Sequence, residues 1–269
     1  MEQVITALID GDTIPYIVAY NNRDNDEPAM VALEIDQFVN NILENTGARE
    51  YIGFVQAPNQ AVTLRGNIAT TKVYKGNRTV VPDWYIKWGV YIKRYLVERW
   101  NFKVIYHIES DDAISIMANI LIKDDRTINY IVCSSDKDLD QITGNHYNTK
   151  TTEKYYVDPD KASACYWKQA LMGDSTDNIT GIPKVGPKTA EKILEGTFEE
   201  RPHRVLAAYI EHFGPTLGAQ KFGETCQLIG LLHYVPEGIQ QYVNMDFTQL
   251  QAVTYDLGTT VKRTFEQPE

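Results

Sequence analysis

The chain has 269 residues, of which 43% are hydrophobic and 23% charged, a composition that excludes a disordered or fibrous chain and allows a sizeable core. The formal net charge of −10 argues against a uniformly basic nucleic-acid-binding surface, although clustered carboxylates lower the total without excluding a basic face elsewhere. The three cysteines, Cys133, Cys165 and Cys226, follow no disulfide or zinc spacing, which points to a reducing compartment.

Val4–Ile9 is an apolar run without alternation, the pattern of a central parallel strand, and it leads into Asp10-Gly-Asp12. Residues 21–28 are polar and loop-like. Ile35, Phe38, Val39, Ile42 and Leu43 keep helical spacing up to Gly47, and Tyr51–Val55 is a second strand. Pro82-Asp83 opens a long helix to about Trp100, whose stripe of Trp84, Trp88, Tyr91 and Tyr95 fits a core face better than a base-stacking platform. Phe102–Ile108 is a third strand, ending at Glu109-Ser-Asp-Asp112. A helix follows through Lys123, with Ala113, Ile116, Met117, Ile120 and Leu121 on its inner face. Tyr130–Ser134 is a fourth strand and ends at Asp136-Lys-Asp138. After Asp158 the pattern turns helical, over 162–171, 188–194, 205–213 and 218–233.

The stretch from Leu171 to Leu194 has two halves of opposite charge. Asp174 and Asp177 stand three residues apart, a spacing that puts both carboxylates on one side of a helical turn. Gly181-Ile-Pro-Lys-Val-Gly186 is a tight loop leading into a helix at Pro187, and the free N–H groups of such a start, with Lys184, Lys188 and Lys192, suit a phosphate. Acids at three strand ends, Asp10 and Asp12, then Glu109, Asp111 and Asp112, then Asp136 and Asp138, would gather at one edge of a parallel sheet. Such crowding calls for cations, and hard oxygen ligands select magnesium or manganese. Two ions roughly 4 Å apart could hold both the attacking and the leaving oxygen of a phosphodiester.

Leu8-Ile-Asp-Gly-Asp12, Tyr74-Lys-Gly-Asn-Arg78, Ile108-Glu-Ser-Asp-Asp112, Ser135-Asp-Lys-Asp138 and Met172-Gly-Asp-Ser-Thr-Asp-Asn-Ile179, the last followed by Gly181–Gly186, occur in this order. The set resembles the 5′-nuclease family of flap endonucleases and 5′–3′ exonucleases, most closely its phage members. The resemblance implies an α/β fold, a twisted, mostly parallel sheet flanked by helices, with a helix–three-turn–helix DNA-binding element. It implies a metal-dependent nuclease core over 1–160, a helical region over 161–235 and a C-terminal segment over 236–269 packed on the core. By the same resemblance Asp10, Glu109, Asp111, Asp112, Asp136, Asp138, Asp174 and Asp177 are metal ligands for Mg²⁺ or Mn²⁺, and Lys75 and Arg78 are the basic pair at the scissile phosphate. Tyr74 is expected to stack on a terminal base. Gly181, Pro183, Lys184, Val185, Gly186, Lys188 and Thr189 are expected to bind duplex backbone, with a K⁺ ion on loop carbonyls.

The implied activity is hydrolysis at the 5′ ends of DNA, flaps or RNA–DNA primer junctions during replication. The implied protein is a monomer in the cytoplasm, that of the host cell if phage-encoded, with replication proteins as possible partners and no membrane association. Two departures stand out. The family carries an aspartate soon after the second strand, where this chain has Gln56-Ala57, and the link from Arg78 to Glu109 holds one helix rather than a long arch. The first departure keeps open a catalytically weakened, structure-specific DNA-binding protein of the same fold. Asp136-Lys-Asp138 alone would also suit the metal motif of a glycosyltransferase, which leaves the Gly181–Gly186 loop unexplained.

Overall fold

Strand β1 (Thr6–Asp10) lies at the centre of a sheet in the computed structural model, which describes residues 4–57, 63–78, 81–122, 129–240, 242–243 and 245–255. Its neighbours β2 (Glu50–Gln56) and β4 (Tyr130–Ser134) are parallel to it. The sheet runs β3-β2-β1-β4-β5-β6, with β3 over Lys103–Ile105, β5 over Gly144–Asn148 and β6 over Lys154–Val157. The β5–β6 pair is an antiparallel hairpin at one edge, and β9 (Val253–Thr254) adds antiparallel to the start of β2.

Side-chain alternation along the strands builds two core layers. Ala7, Ile9, Val55, Ile131 and Cys133 face helices α1 (Ile14–Asn21), α2 (Pro28–Thr46) and α4 (Asp83–Trp100). Leu8, Ile52, Phe54, Tyr130 and Val132 face α5 (Ser110–Leu121) and residues 231–252. At about 1.5–3 kcal/mol for each fully buried large aliphatic side chain, these two layers dominate the stability of the sheet. The aromatic stripe of α4 is core: Trp88 is buried, and Trp84, Tyr91 and Tyr95 pack against the same layer. Helix α2 stops at Gly47, whose φ of 72° is the left-handed cap that a glycine supplies without strain.

Four short elements have little sequence signal. Helix α1 has Pro15 in its first turn and eight residues in all, and its inward residues Ile14, Val18 and Ala19 are buried by α2 and α4. Helix α3 (Leu64–Ile68) is a single turn capped by Thr63, and the edge strands β5 and β6 are polar. Strand β3 is shorter than expected, so Glu109 follows a loop in which His107 has φ 64°. Ile120 is 41% exposed rather than part of the inner face of α5, and Lys123 lies outside the described residues.

The helical part, α6 (Pro159–Met172), α7 (Pro187–Ile193), α8 (Arg201–Phe213) and α9 (Pro215–Ile229), has its own apolar cluster of Ala170, Leu171, Ile182, Ala190, Leu194, Val205 and Tyr209. Among the described residues no helix is long and apolar enough to cross a membrane.

Between α6 and α7 the chain makes a hairpin, β7 (Gly173–Asp174) against β8 (Ile179–Thr180). This corrects the expectation of a helical turn at Asp174–Asp177. Gly173 has φ 74°, and a Cβ on Gly181 would stand 2.3 Å from the Gly173 nitrogen. The two glycines let the hairpin legs cross in contact. Gly181→Ala should therefore lower stability by about 2–3 kcal/mol, through overpacking against backbone that has no side chain to give way. A urea melt checks this; a loss under about 0.5 kcal/mol would mean the hairpin opens freely.

Candidate active site

The register of β1 and β4 pairs Ile9 with Cys133, so Asp10 and Ser134 are the next residues at the same sheet edge. Asp10 is buried there. Its Oδ1 accepts from Ser110 Oγ at 2.8 Å, and its Oδ2 accepts from Ser134 Oγ at 2.8 Å. One carboxylate thus ties β1 to the start of α5 and the end of β4. Ser134 Oγ in turn accepts from the Asp136 N–H at 2.9 Å, and Asp136 Oδ1 accepts from the Asp138 N–H at 2.9 Å. Asp138 is held by the Gln169 amide of α6.

From there the acids continue across the hairpin. Asp138 feels the charges of Asp136 and Asp174. Asp174 Oδ1 accepts from the N–H groups of Thr176 (2.6 Å) and Asp177 (3.3 Å). The Tyr74 hydroxyl lies 2.8 Å from Asp177 Oδ2 and 3.1 Å from Glu109 Oε2, so its one proton bridges the two carboxylates. Glu109 leads into α5, which bears Ser110, Asp111 and Asp112 and returns to Asp10. The acids Asp10, Asp136 and Asp138, and Asp174, Asp177 and Glu109, therefore form two hydrogen-bonded runs that meet at Ser110 and face each other through the charges of Asp138 and Asp174, although they come from three sheet-edge segments and a hairpin.

Counter-charge comes from the segment 73–78. Lys75 Nζ is 2.6 Å from Glu109 and 3.7 Å from Asp177, and Arg78 donates to Asp177 Oδ1 at 2.8 Å. The segment is fixed on the hairpin turn by backbone: the Lys75 N–H donates to Asp177 O, Asn178 Nδ2 to Val73 O and Asn77 Nδ2 to Ser175 O. Lys75 and Asn178 both take positive φ, 56° and 61°, to make these contacts. The ring of Tyr74 packs against the cluster of Ile179, Leu228 and Ile229, and its hydroxyl bridges two acids.

Asp112 departs from the expected ligand set. It has no exposed surface, and Arg65 grips it with two bonds of 2.5 and 2.8 Å. The N–H groups of Leu232 and Glu109 complete its oxygens at 3.1 and 3.2 Å. All its lone-pair directions are used by the protein, so Asp112 is a structural counter-ion. Arg65 also donates to the carbonyls of Leu228 and Gly230, joining α3, α5 and the end of α9 at one node. Sequence reading missed Arg65 because it lies in a stretch without periodicity. It also missed Ser110 and Ser134, although both stand beside the acidic segments.

Gly181 is buried against Gly173 and packs rather than presents itself to a ligand. Pro183, Lys184, Lys188 and Thr189 are exposed around the turn into α7, while Val185 leans on the helical core and Gly186 caps α7.

Crowding leaves a chemical mark. Burial, then the charge of Asp12, pushes Asp10 up to about 6, and burial, then Asp136 and Asp174, pushes Asp138 up to about 7. Burial, then Asp112, also raises Asp111. The donors are hard oxygens whose charge a divalent cation would relieve, so their chemistry fits magnesium or manganese. In the geometry observed, no three His, Cys, Asp or Glu side chains among the described residues converge on one ion. Chelation would require side chains to turn away from Lys75, Arg78 and the serines.

Because the folded-state values lie above the unfolded value near 3.8, the folded protein holds protons that the unfolded chain releases. These two groups stabilise most at low pH, and that stability is lost as pH rises through 6 to 7. In EDTA, melting at pH 8 should fall several degrees below that at pH 5. Asp10→Asn should flatten the difference, and Mg²⁺ should raise the melting point at pH 8 more than at pH 5. Calorimetry across this range checks both signs.

No protein-family model matches the chain. A 5′-3′ exonuclease of Buchnera aphidicola (from Schizaphis graminum) is 34% identical over 136 residues, covering 46% of this chain and 46% of the relative. DNA polymerase I of Bacillus subtilis is 32% identical over 143 residues, covering 47% of this chain and 16% of the polymerase. The matched region is thus less than half the length of these curated relatives. Among solved structures, a bacteriophage T5 protein co-crystallised with metal ions superposes with a TM-score of 0.63 at 16% identity, over 84% of this chain and 89% of that one. T5 5′-exonuclease with bound zinc gives 0.60 at 18% identity, over 83% and 86% of the two chains. The chain is thus similar over just under half of its length to 5′-3′ exonucleases, and it shares the fold of the T5 exonuclease.

Proposed function

We propose that this chain is a divalent-metal-dependent 5′–3′ exonuclease and flap endonuclease. Its substrates are phosphodiester bonds at the 5′ ends of DNA or of RNA primers, and its setting is phage DNA replication. The observation that carries the reading is the gathering of acids from β1, α5, β4 and the hairpin, with Lys75 and Arg78 set among them. Asp10, Glu109, Asp111, Asp136, Asp138, Asp174 and Asp177 would hold magnesium or manganese. A bound ion supplies Lewis-acid polarisation of a phosphoryl oxygen and a more acidic water.

The chain's own residues do the rest. Lys75 and Arg78 exchange their carboxylate partners for the non-bridging oxygens of the scissile phosphate, where fixed positive charge favours the developing negative charge. Tyr74 keeps Glu109 and Asp177 at a set separation. The exposed Pro183–Lys184 turn, with Lys188 and Thr189, lies along duplex backbone and positions it without reading sequence, and its loop carbonyls would hold a K⁺ ion. The single helix α4 between Arg78 and Glu109 leaves a short arch, which favours exonuclease action over threading of long flaps.

The test is hydrolysis of 5′-labelled duplex, flap and RNA–DNA primer substrates with Mg²⁺ and with EDTA. Short products from the 5′ end, seen only with the metal and abolished by Asp136→Asn, are expected. Absence of metal-dependent product rejects the enzyme. A second reading, a DNA-binding protein with weakened catalysis, is favoured by Gln56 standing where the family has an aspartate. It predicts DNA affinity equal to that of Asp136→Asn, with no turnover even in Mn²⁺.

A further inference from the structure

The end of β2 lacks the family's acid, and its surroundings indicate what replaces it. Lys93 reaches down from α4, with its Nζ 2.6 Å from Asp12 Oδ1 and 3.1 Å from the Gln56 carbonyl oxygen. The Gln56 N–H donates to both oxygens of Asp12, at 3.1 and 3.2 Å. Ammonium, carboxylate and the Gln56 backbone close a small ring. The Lys93 and Asp12 side chains are only 20% and 24% exposed, so this is a partly desolvated pair rather than a solvated surface contact. Asp12 is also coupled to the metal-ligand candidate Asp10: the Asp12 N–H donates to Asp10 Oδ1 at 3.0 Å.

A carboxylate and a peptide carbonyl are the oxygen donors a hard cation takes. Here they face an ammonium. We infer that Lys93 is a built-in cation of the acidic pocket: its ammonium fills the oxygen site of Asp12 and the Gln56 carbonyl, so that the chain takes up one divalent ion tightly, on the Asp136, Asp138 and Asp174 side, instead of two. This inference rests on the metal-dependent reading above. It assigns Lys93 as a positioning residue that acts through Asp12, and it turns the absence of the family's aspartate from a lost ligand into a change of charge. A unit positive charge within a few ångströms opposes a second, doubly charged ion strongly enough to set stoichiometry.

The test is Mn²⁺ binding to the full chain, followed by calorimetry and by the electron paramagnetic resonance of free Mn²⁺, with no substrate present. Wild type should take up one tight ion. Lys93→Met should bind Mn²⁺ on the order of tenfold more tightly overall, or gain a second ion, because Asp12 loses its partner. Lys93→Met combined with Gln56→Asp should show a second ion outright, whereas Lys93→Arg should match wild type. A lysine with a merely structural role would give weaker binding and a lower melting point in Lys93→Met. Two ions of comparable affinity in wild type, or unchanged or weaker binding in a folded Lys93→Met, overturns the inference and leaves the nuclease reading standing. No Mn²⁺ uptake by wild type removes both. One tight ion alone would also follow from a lost ligand, so where Lys93→Met does not fold, Lys93→Gln is titrated in its place against the same outcomes.

Discussion

Arg65→Met should destabilise the fold by about 3–5 kcal/mol, the cost of leaving a fully buried carboxylate without its partner. Arg65 is 4% exposed and Asp112 not at all, and the two share a pair of parallel bonds. Among the described residues the remaining hydrogen bonds to the Asp112 carboxylate come from the N–H groups of Leu232 and Glu109. Of a total stability of about 5–15 kcal/mol, the loss is a large share. It also releases the carbonyls of Leu228 and Gly230, so the end of α9 should loosen from α5 at the same time. The double variant Arg65→Met, Asp112→Asn separates charge from packing. A neutral amide oxygen can still accept from one of the two N–H groups, so this variant should recover roughly half of the loss, while Arg65→Met, Asp112→Leu strands both donors at about 1–3 kcal/mol each. Urea melts of the three variants measure this order. If Arg65→Met costs under 1 kcal/mol, Asp112 is not held by Arg65 in solution and regains its standing as a metal-ligand candidate.

That pair also marks where sequence reading stops. The strands β1, β2 and β4 were legible because they are buried on both faces, so their apolar runs are unbroken and their ends are sharply marked by Asp10 and Asp136. Helices α2, α4, α8 and α9 were legible from their spacing and their Gly and Pro boundaries. Helix α1 was not, since its eight residues derive their stability from α2 and α4 rather than from their own pattern. The polar hairpin β5–β6 lies at a sheet edge and carries little alternation. At the site, the acidic segments were visible one by one. Their partners were not: nothing in the sequence connects Arg65 to Asp112 across 47 positions, Ser134 to Asp10 across 124, or Lys93 to Asp12. A carboxylate looks the same in a sequence whether a cation or an arginine will neutralise it, and only the fold decides between these. The hairpin at Asp174–Asp177 teaches the same lesson in backbone terms. The three-residue spacing suits a helical turn, but Gly173 and Gly181 permit a closer crossing of strands, and there the Asp177 N–H rather than a helical register sets the distance to Asp174.

Lys75→Met should lower turnover by about 10²–10³ while leaving affinity for DNA nearly intact. On the proposed nuclease reading, the side chain serves the chemistry rather than holding the duplex. Its backbone is pinned to the hairpin by the bond to Asp177 O, and its positive φ fixes the direction in which the ammonium leaves the loop. That ammonium contacts Glu109 at 2.6 Å and lies within 3.7 Å of Asp177, so it sits among the acids. A preorganised cation there costs nothing to reorient as charge builds on the phosphoryl oxygens, and removing one such group from an active site typically costs two to three powers of ten. Binding draws instead on many phosphate contacts, of which one lysine supplies a small part. The stability cost is limited, although the pair is largely shielded from water, because Glu109 keeps the Tyr74 hydroxyl and the nearby Arg65. Single-turnover hydrolysis of a 5′-labelled duplex separates the two quantities: the maximal rate should fall and the DNA concentration at half-saturation should stay within about threefold. Arg78→Met should follow the same pattern more weakly, because its guanidinium is 48% exposed and, among the described residues, pairs with Asp177 alone. If Lys75→Met instead raises the half-saturating concentration and spares the maximal rate, Lys75 holds the substrate in ground and transition states alike, and the fixed-charge role passes to another cation of the pocket.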